Sequence, residues 1–155
     1  GKSTLLRIIL GLTSPSKGEV EYCKPNLQIS YLGHKNAIKH YLTPMQNLEL
    51  IFRSSALSEA IKWIHILGLN KVQDELTANL SFGQQKKLAL IRVFASESDL
   101  IILDEPFVGL DDASRDLLNG FLQKQLASDA SLILTSHIEP NILCSELVLS
   151  GDTDD

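Results

Sequence analysis

Leu100-Ile101-Ile102-Leu103 runs straight into Asp104-Glu105-Pro106, and this stretch constrains the fold more than any other. A strand with one wet face alternates apolar and polar residues. An unbroken apolar run suits a strand of a parallel sheet covered on both faces by helices. The two carboxylates end the run at the strand's C-terminal edge, where open α/β sheets take their ligands. Asp104 there suits a hard cation held through its hydration shell. Glu105, expected on the other side of the strand, could polarise an attacking water. The plainer alternative is an acidic pair capping the next helix.

The chain opens on Gly1-Lys2-Ser3-Thr4, followed at once by the apolar helix-like run Leu5-Leu6-Arg7-Ile8-Ile9-Leu10. This is the second half of G-x-x-x-x-G-K-[ST], a glycine-rich turn that cradles phosphates. In that pattern Lys2 reaches the β- and γ-phosphates of ATP, and the Ser3 hydroxyl ligates Mg²⁺. Gly1 and Thr4 complete the cradle at a helix N-terminus, whose free N–H groups favour an anion. Four residues alone also fit an ordinary surface turn. Because the first half of the pattern precedes Gly1, the expectation is an N-terminally truncated chain. It is then expected to lack N-terminal strands and half of the phosphate loop. Such a piece is expected to bind ATP poorly or not at all, while its longer parent is expected to hydrolyse it.

Leu80-Ser81-Phe82-Gly83-Gln84 reads as a helix start, with Ser81 and Gln84 at capping-box spacing. Gly83 allows close backbone approach, so Ser81, Gly83 and Gln84 mark a second anion site. Gly109-Leu110-Asp111 reads as a turn and cap just beyond Glu105. His137 follows the Ile133-Leu134-Thr135-Ser136 strand end, where it could hydrogen-bond a γ-phosphate oxygen or orient water. Taken singly, each also fits a structural cap or a loop histidine.

The remaining pattern places these pieces on an α/β frame. Helices are expected over Ser3–Leu12, within residues 43–97, and around Leu117, Leu118, Phe121, Leu122 and Leu126. Thr43 with Pro44 signals a helix start. Strands are expected at 18–23, 26–32, 100–103, 131–135 and 146–149. Residues 43–97 read as a helical subdomain inserted in one domain spanning 1–155, and residues 151–155 as a frayed tail. The 44% hydrophobic and 21% charged content fits an ordinary globular protein. A net charge of −5 with no basic stripe argues against nucleic acid as a partner. No apolar run approaches the ~18 residues of a membrane span, and no signal peptide is visible. Cys23 and Cys144 are isolated, and a disulfide between them is not expected.

Together these motifs resemble the ATP-binding subunit of ABC transporters, a P-loop NTPase with a largely parallel sheet and an inserted helical subdomain. Gly1–Thr4 resembles the end of Walker A, and Leu80–Gln84 the signature motif. Leu100–Glu105 resembles Walker B, Gly109–Asp111 the D-loop, and His137 the switch histidine. The resemblance implies ATP and Mg²⁺ as cofactors and a head-to-tail dimer with a second copy of the domain. Each ATP would then lie between one copy's Walker motifs and the other's signature helix, with Asp111 at the seam.

Two residues depart from the family pattern. Phe82 stands where most members carry Gly, and His34 stands where the family has Gln, a nucleotide-site residue. The segment Tyr31-Leu32-Gly33-His34-Lys35, with Ile38-Lys39 and Leu42-Thr43 after it, is similar to ATPase subunits of cytochrome c maturation (haem exporter) complexes. His34 also fits a neutral surface histidine with no special role. This resemblance implies an integral membrane partner subunit (CcmB-like). It implies a peripheral location on the cytoplasmic face of the bacterial inner membrane or the matrix face of the mitochondrial one. The competing expectations are a soluble ABC-type ATPase acting on nucleic acid or ribosomes, and a non-catalytic remnant.

Overall fold

The computed structural model describes residues 1–149. Three parallel strands form its sheet in the order β1-β2-β3: β1 (Ile29–Leu32), β2 (Leu100–Asp104) and β3 (Ser131–Thr135). Every residue of β2 is buried, as a central strand with two covered faces requires. Alternation along β2 sends Leu100 and Ile102 to one face and Ile101 and Leu103 to the other. The first face packs on Leu6 and Ile9 of α1 (Lys2–Ile9) and on Leu10 just beyond it. The second joins the larger core with Leu48, Ile64, Leu90, Leu118 and Leu122. A parallel neighbour needs a long crossover. The β1–β2 crossover holds α2 (Pro44–Ile51), α3 (Ser54–Ile66) and α4 (Phe82–Phe94), and the β2–β3 crossover holds α5 (Asp112–Ala127).

Local chemistry sets the helix ends. Thr43 caps α2 through a reciprocal box with Gln46, at 3.2 Å and 3.0 Å, and Pro44 takes the first helical position. α3 closes where Gly68 takes φ +70 and the Leu69 N–H donates back to the Ile64 carbonyl at 2.8 Å. Only glycine adopts that conformation without penalty. α3, α4 and α5 meet at an aromatic cluster. Trp63 stacks on Phe94 with centroids 4.4 Å apart, and Phe121 meets Phe94 edge-on at 4.9 Å.

Buried Asn47 anchors the segment after β1. Its Oδ1 accepts the Lys39 N–H at 2.7 Å, and its Nδ2 donates toward Lys39 O, Thr43 O and Thr77 Oγ1 at 3.0, 3.0 and 3.2 Å. One amide thereby ties the loop beyond His34 to α2 and to the turn ahead of α4.

Several expected elements differ. Residues 18–23 and 146–149 form no strand. Val20 and Tyr22 are 38% and 43% exposed, and Leu147 and Val148 are 75% and 77% exposed. Among the described residues neither segment has a neighbouring strand to pair with, so β propensity alone does not hold it in a ladder. The strand expected over 26–32 narrows to Ile29–Leu32, because Asn26 sits at φ +57. The first helix ends three residues early, at Ile9, with Gly11 at φ +70 just beyond the Leu10 cap. Residues 151–155, expected as a tail, lie outside the described residues.

Candidate active site

Parallel register brings the ends of β2 and β3 side by side, with Asp104 opposite Thr135. The N-terminus of α1 starts at the same edge, since its Leu6 seats on Leu100 and Ile102. Residues 2–3, 104–105 and 135–137, more than a hundred positions apart at the extremes, converge there.

Asp104 is 4% exposed, and both its oxygens are engaged. The Ser3 hydroxyl donates to Oδ2 at 2.9 Å, and the Thr135 hydroxyl donates to Oδ1 at 2.5 Å. A carboxylate buried this far needs hydrogen-bond partners for its oxygens. The donor set is all oxygen, a serine hydroxyl beside a carboxylate, which fits a small hard cation such as Mg²⁺. Among the described residues no cluster of three or more His, Cys, Asp or Glu could cage a metal by itself. Mg²⁺ suits such a sparse site, because it keeps several waters and takes phosphate oxygens as ligands.

Glu105 adopts φ +50, a left-handed conformation that is costly for a residue with a Cβ. Its N–H donates to Thr135 O at 3.0 Å and lies 3.2 Å from Thr135 Oγ1. This corrects the expectation that Glu105 faces away from Asp104. Left-handed backbone breaks the alternation of the strand and brings both carboxylates to the α1 N-terminus. Glu105 Oε2 accepts the His137 N–H at 3.1 Å. Glu105 Oε1 is buried without a hydrogen-bond partner, with Lys2 Nζ 3.9 Å away and His137 Nε2 3.5 Å away. Lys2 Nζ and His137 Nε2 are themselves 3.4 Å apart.

Ser81 and Gln84 form the reciprocal box their spacing predicts, at 3.2 Å and 2.8 Å. Among the described residues no hydrogen bond links Ser81 or Gln84 to Asp104 or Glu105. Gly83 lies so close to Gly109 that a Cβ would stand 2.7 Å from the Gly109 oxygen. Gly1 caps α1 through its carbonyl, which accepts the Leu5 N–H at 3.0 Å, and Thr4 lies exposed in the first turn. His34 is exposed, two residues past the end of β1, and its side chain makes no hydrogen bond among the described residues.

Asp111 caps α5 by accepting the Ser114 N–H at 2.9 Å and pairs with Lys87 at 2.7 Å. The Lys87 ammonium and the Ser114 donors hold its carboxyl well below the ordinary value of 3.8. A depressed folded value means the contribution is present above the unfolded value and lost as pH falls through the folded one. Asp111→Ala is therefore expected to destabilise by about 1 kcal/mol at neutral pH through the lost cap. The deficit should shrink as the pH drops below 3.8. Denaturant unfolding of both proteins across that range measures it, and a pH-independent deficit would contradict it.

Sequence reasoning missed two residues. Thr135 reads only as a strand end, yet it binds both carboxylate residues. The hint was its place opposite Asp104 once the strands are paired in parallel. Lys86, in the first turns of α4, is 3% exposed. Burial lowers its pKa from the ordinary lysine value, and the charges of Asp104 and Glu105 oppose that shift. Its signal was the spacing to Ala89, Leu90 and Val93 on the buried face of α4.

The family model described as ABC transporter matches residues 1–108. A cytochrome c biogenesis ATP-binding export protein, CcmA, from Idiomarina loihiensis is 38% identical, with 99% of this chain and 72% of that protein covered. The protein of the same name from Dechloromonas aromatica is 36% identical, covering 92% of this chain and 76% of its own length. Among solved structures, the ATP binding subunit of an ABC transporter superposes with a TM-score of 0.78 at 25% identity. That match covers 89% of this chain and 64% of the other. The chain belongs to the ABC transporter family, as one of its ATP-hydrolysing cassettes.

Proposed function

We propose that this cassette powers a cytochrome c maturation exporter by hydrolysing ATP at the edge where α1, β2 and β3 meet. The observation that carries the reading is Glu105 Oε1, a buried acceptor left open between Lys2 and His137. A buried unpaired acceptor is costly and calls for an explanation. A water seated there would give its proton to Glu105 as it attacks the γ-phosphate. Lys2 and His137 flank the same point and would donate to the γ-phosphate oxygens as charge builds on them. Mg²⁺, held by Ser3 and Asp104, would supply neutralising charge to the phosphate chain. Thr135 keeps Asp104 oriented and Glu105 turned toward the site. Gly1 and Thr4 would add to the phosphate cradle.

Ser81, Gly83 and Gln84 would meet the nucleotide of a second copy packed head to tail, with Asp111 near that seam. That no hydrogen bond joins Ser81 or Gln84 to Asp104 or Glu105 among the described residues supports this division. We assign residues 43–97 as a helical subdomain of a single cassette and His34 as a residue lining its nucleotide edge. No described helix is long and apolar enough to cross a membrane. The names borne by the relatives support an integral membrane partner subunit (CcmB-like). The cassette would then sit peripherally on the cytoplasmic face of a bacterial inner membrane, or on the equivalent matrix face in mitochondria. The convergence of Lys2, Ser3, Asp104, Glu105 and His137 weighs against a non-catalytic remnant.

The test is Mg-ATP hydrolysis by the full-length protein with its membrane partner. Losing one charge-assisted hydrogen bond in His137→Ala should lower kcat about tenfold. Equal background rates with and without the change would remove the site assignment.

A further inference from the structure

Tyr31 of β1 pairs with Ile102 of β2, and its ring packs against the small core of Leu6, Leu100 and Ile102. That core lies on the α1 face of the sheet, the face from which Ser3 reaches Asp104. The Tyr31 hydroxyl extends along the chain to lie over Gly33. A Cβ on Gly33 would stand 2.5 Å from that oxygen and 2.8 Å from the ring carbon bearing it. Swinging the ring clear would take it off the core it packs on, so a glycine here is what leaves the hydroxyl in place.

Leu32 pairs with Leu103, so Gly33 follows β1 where Asp104 closes β2. The hydroxyl is thereby carried toward the C-terminal edge that holds Ser3 and Asp104. Burial raises the pKa of this phenol, the Asp104 charge adds to the rise, and Arg7 opposes it. The phenol therefore stays neutral at ordinary pH, with lone pairs to accept and a proton to donate. Its hydroxyl bonds nothing among the described residues, whereas the Tyr22 hydroxyl donates to the Ile9 carbonyl. A tyrosine set among apolar side chains ordinarily has a partner for its O–H.

We propose that Tyr31 is a positioning residue for the metal, its hydroxyl oxygen accepting a hydrogen bond from a water in the hydration shell of the Mg²⁺ at Ser3 and Asp104. The inference rests on the proposed function, which puts Mg²⁺ at those two residues. Mg²⁺ gives up its waters reluctantly, and two protein ligands leave much of its shell to water and phosphate. A cation makes its waters stronger donors, and groups that accept from them orient the shell and tighten the metal. β2 lies between β1 and β3, so Asp104 has a neighbouring strand on either side. Thr135 on β3 bonds the Asp104 carboxylate itself. Tyr31 on β1 acts on the water side of the same ion, and Gly33 serves it by its missing side chain.

The experiment uses the full-length protein with its membrane partner. It measures affinity for a non-hydrolysable ATP analogue twice, with Mg²⁺ and with the metal chelated. The ratio of the two affinities reports the metal's coupling to the nucleotide. Tyr31→Phe keeps the ring and removes only the hydroxyl. It should lower that ratio about tenfold and leave the metal-free affinity within about twofold. The free Mg²⁺ that half-saturates hydrolysis should rise by about the same tenfold factor. Gly33→Ala, which displaces the hydroxyl, should lower the ratio in the wild type and change it less than about twofold in Tyr31→Phe. An unchanged ratio in Tyr31→Phe overturns the proposal, as does a metal-free affinity that falls as far as the Mg²⁺ one. An equal Gly33→Ala effect in both backgrounds also overturns it. Asp104→Asn separates this outcome from failure of the proposed function. If Asp104→Asn lowers the ratio and Tyr31→Phe does not, the role given to Tyr31 falls alone. If Asp104→Asn leaves the ratio unchanged, the metal lies elsewhere and both readings fall.

Discussion

Glu105→Gln is expected to abolish turnover, lowering kcat by about 10²–10⁴-fold, the usual contribution of a general base. Glutamine keeps the shape and can still accept the His137 N–H at its amide oxygen. It cannot take a proton from water. The left-handed backbone at φ +50 is set by Thr135 and survives the change, so ATP binding should persist within about twofold. The variant should accumulate an ATP-bound dimer of the full-length protein. Size exclusion with Mg-ATP, alongside steady-state hydrolysis, separates the outcomes. Unchanged turnover removes Glu105 from the base role. Lost turnover together with lost ATP binding makes its role structural.

Asp104→Asn is expected to act through charge. Among the described residues the Ser3 hydroxyl is bonded by Asp104 alone, and that carboxylate is almost wholly buried. Asparagine retains one acceptor for Ser3 or Thr135 but presents an NH₂ to the other hydroxyl. It also removes the negative charge that would hold Mg²⁺. If that metal stabilises the transferring phosphoryl group by about 3 kcal/mol, turnover falls by more than about 100-fold at low Mg²⁺. Raising Mg²⁺ should recover part of the loss, whereas Glu105→Gln should not respond. An Asp104→Asn protein with wild-type Mg²⁺ dependence would place the metal elsewhere.

The fold and the chemistry were legible in the sequence to different depths. The unbroken Leu100–Leu103 run reads as a buried parallel strand because burial on both faces removes polar positions. Thr43-Pro44 and Ser81–Gln84 read as helix starts because capping depends on side chains three residues apart. Residues 18–23 and 146–149 misread as strands because a ladder needs a partner, and β propensity cannot say where one lies. The burial of Lys86 was not read from the sequence, because local charge patterns do not reveal which helix face is buried.

By itself the sequence determined the residue types and their order: a lysine and serine opening a helix, two carboxylates ending an apolar strand, and a histidine after another. Those patterns rest on short-range physics, the caps, turns and strand alternation set within a few residues. Only the tertiary structure decided that Ser3 and Thr135 both reach Asp104, and that Glu105 turns back to the same edge with one oxygen left open. Those facts depend on parallel register and on backbone conformations stabilised by contacts about thirty to a hundred positions away, which no local pattern encodes.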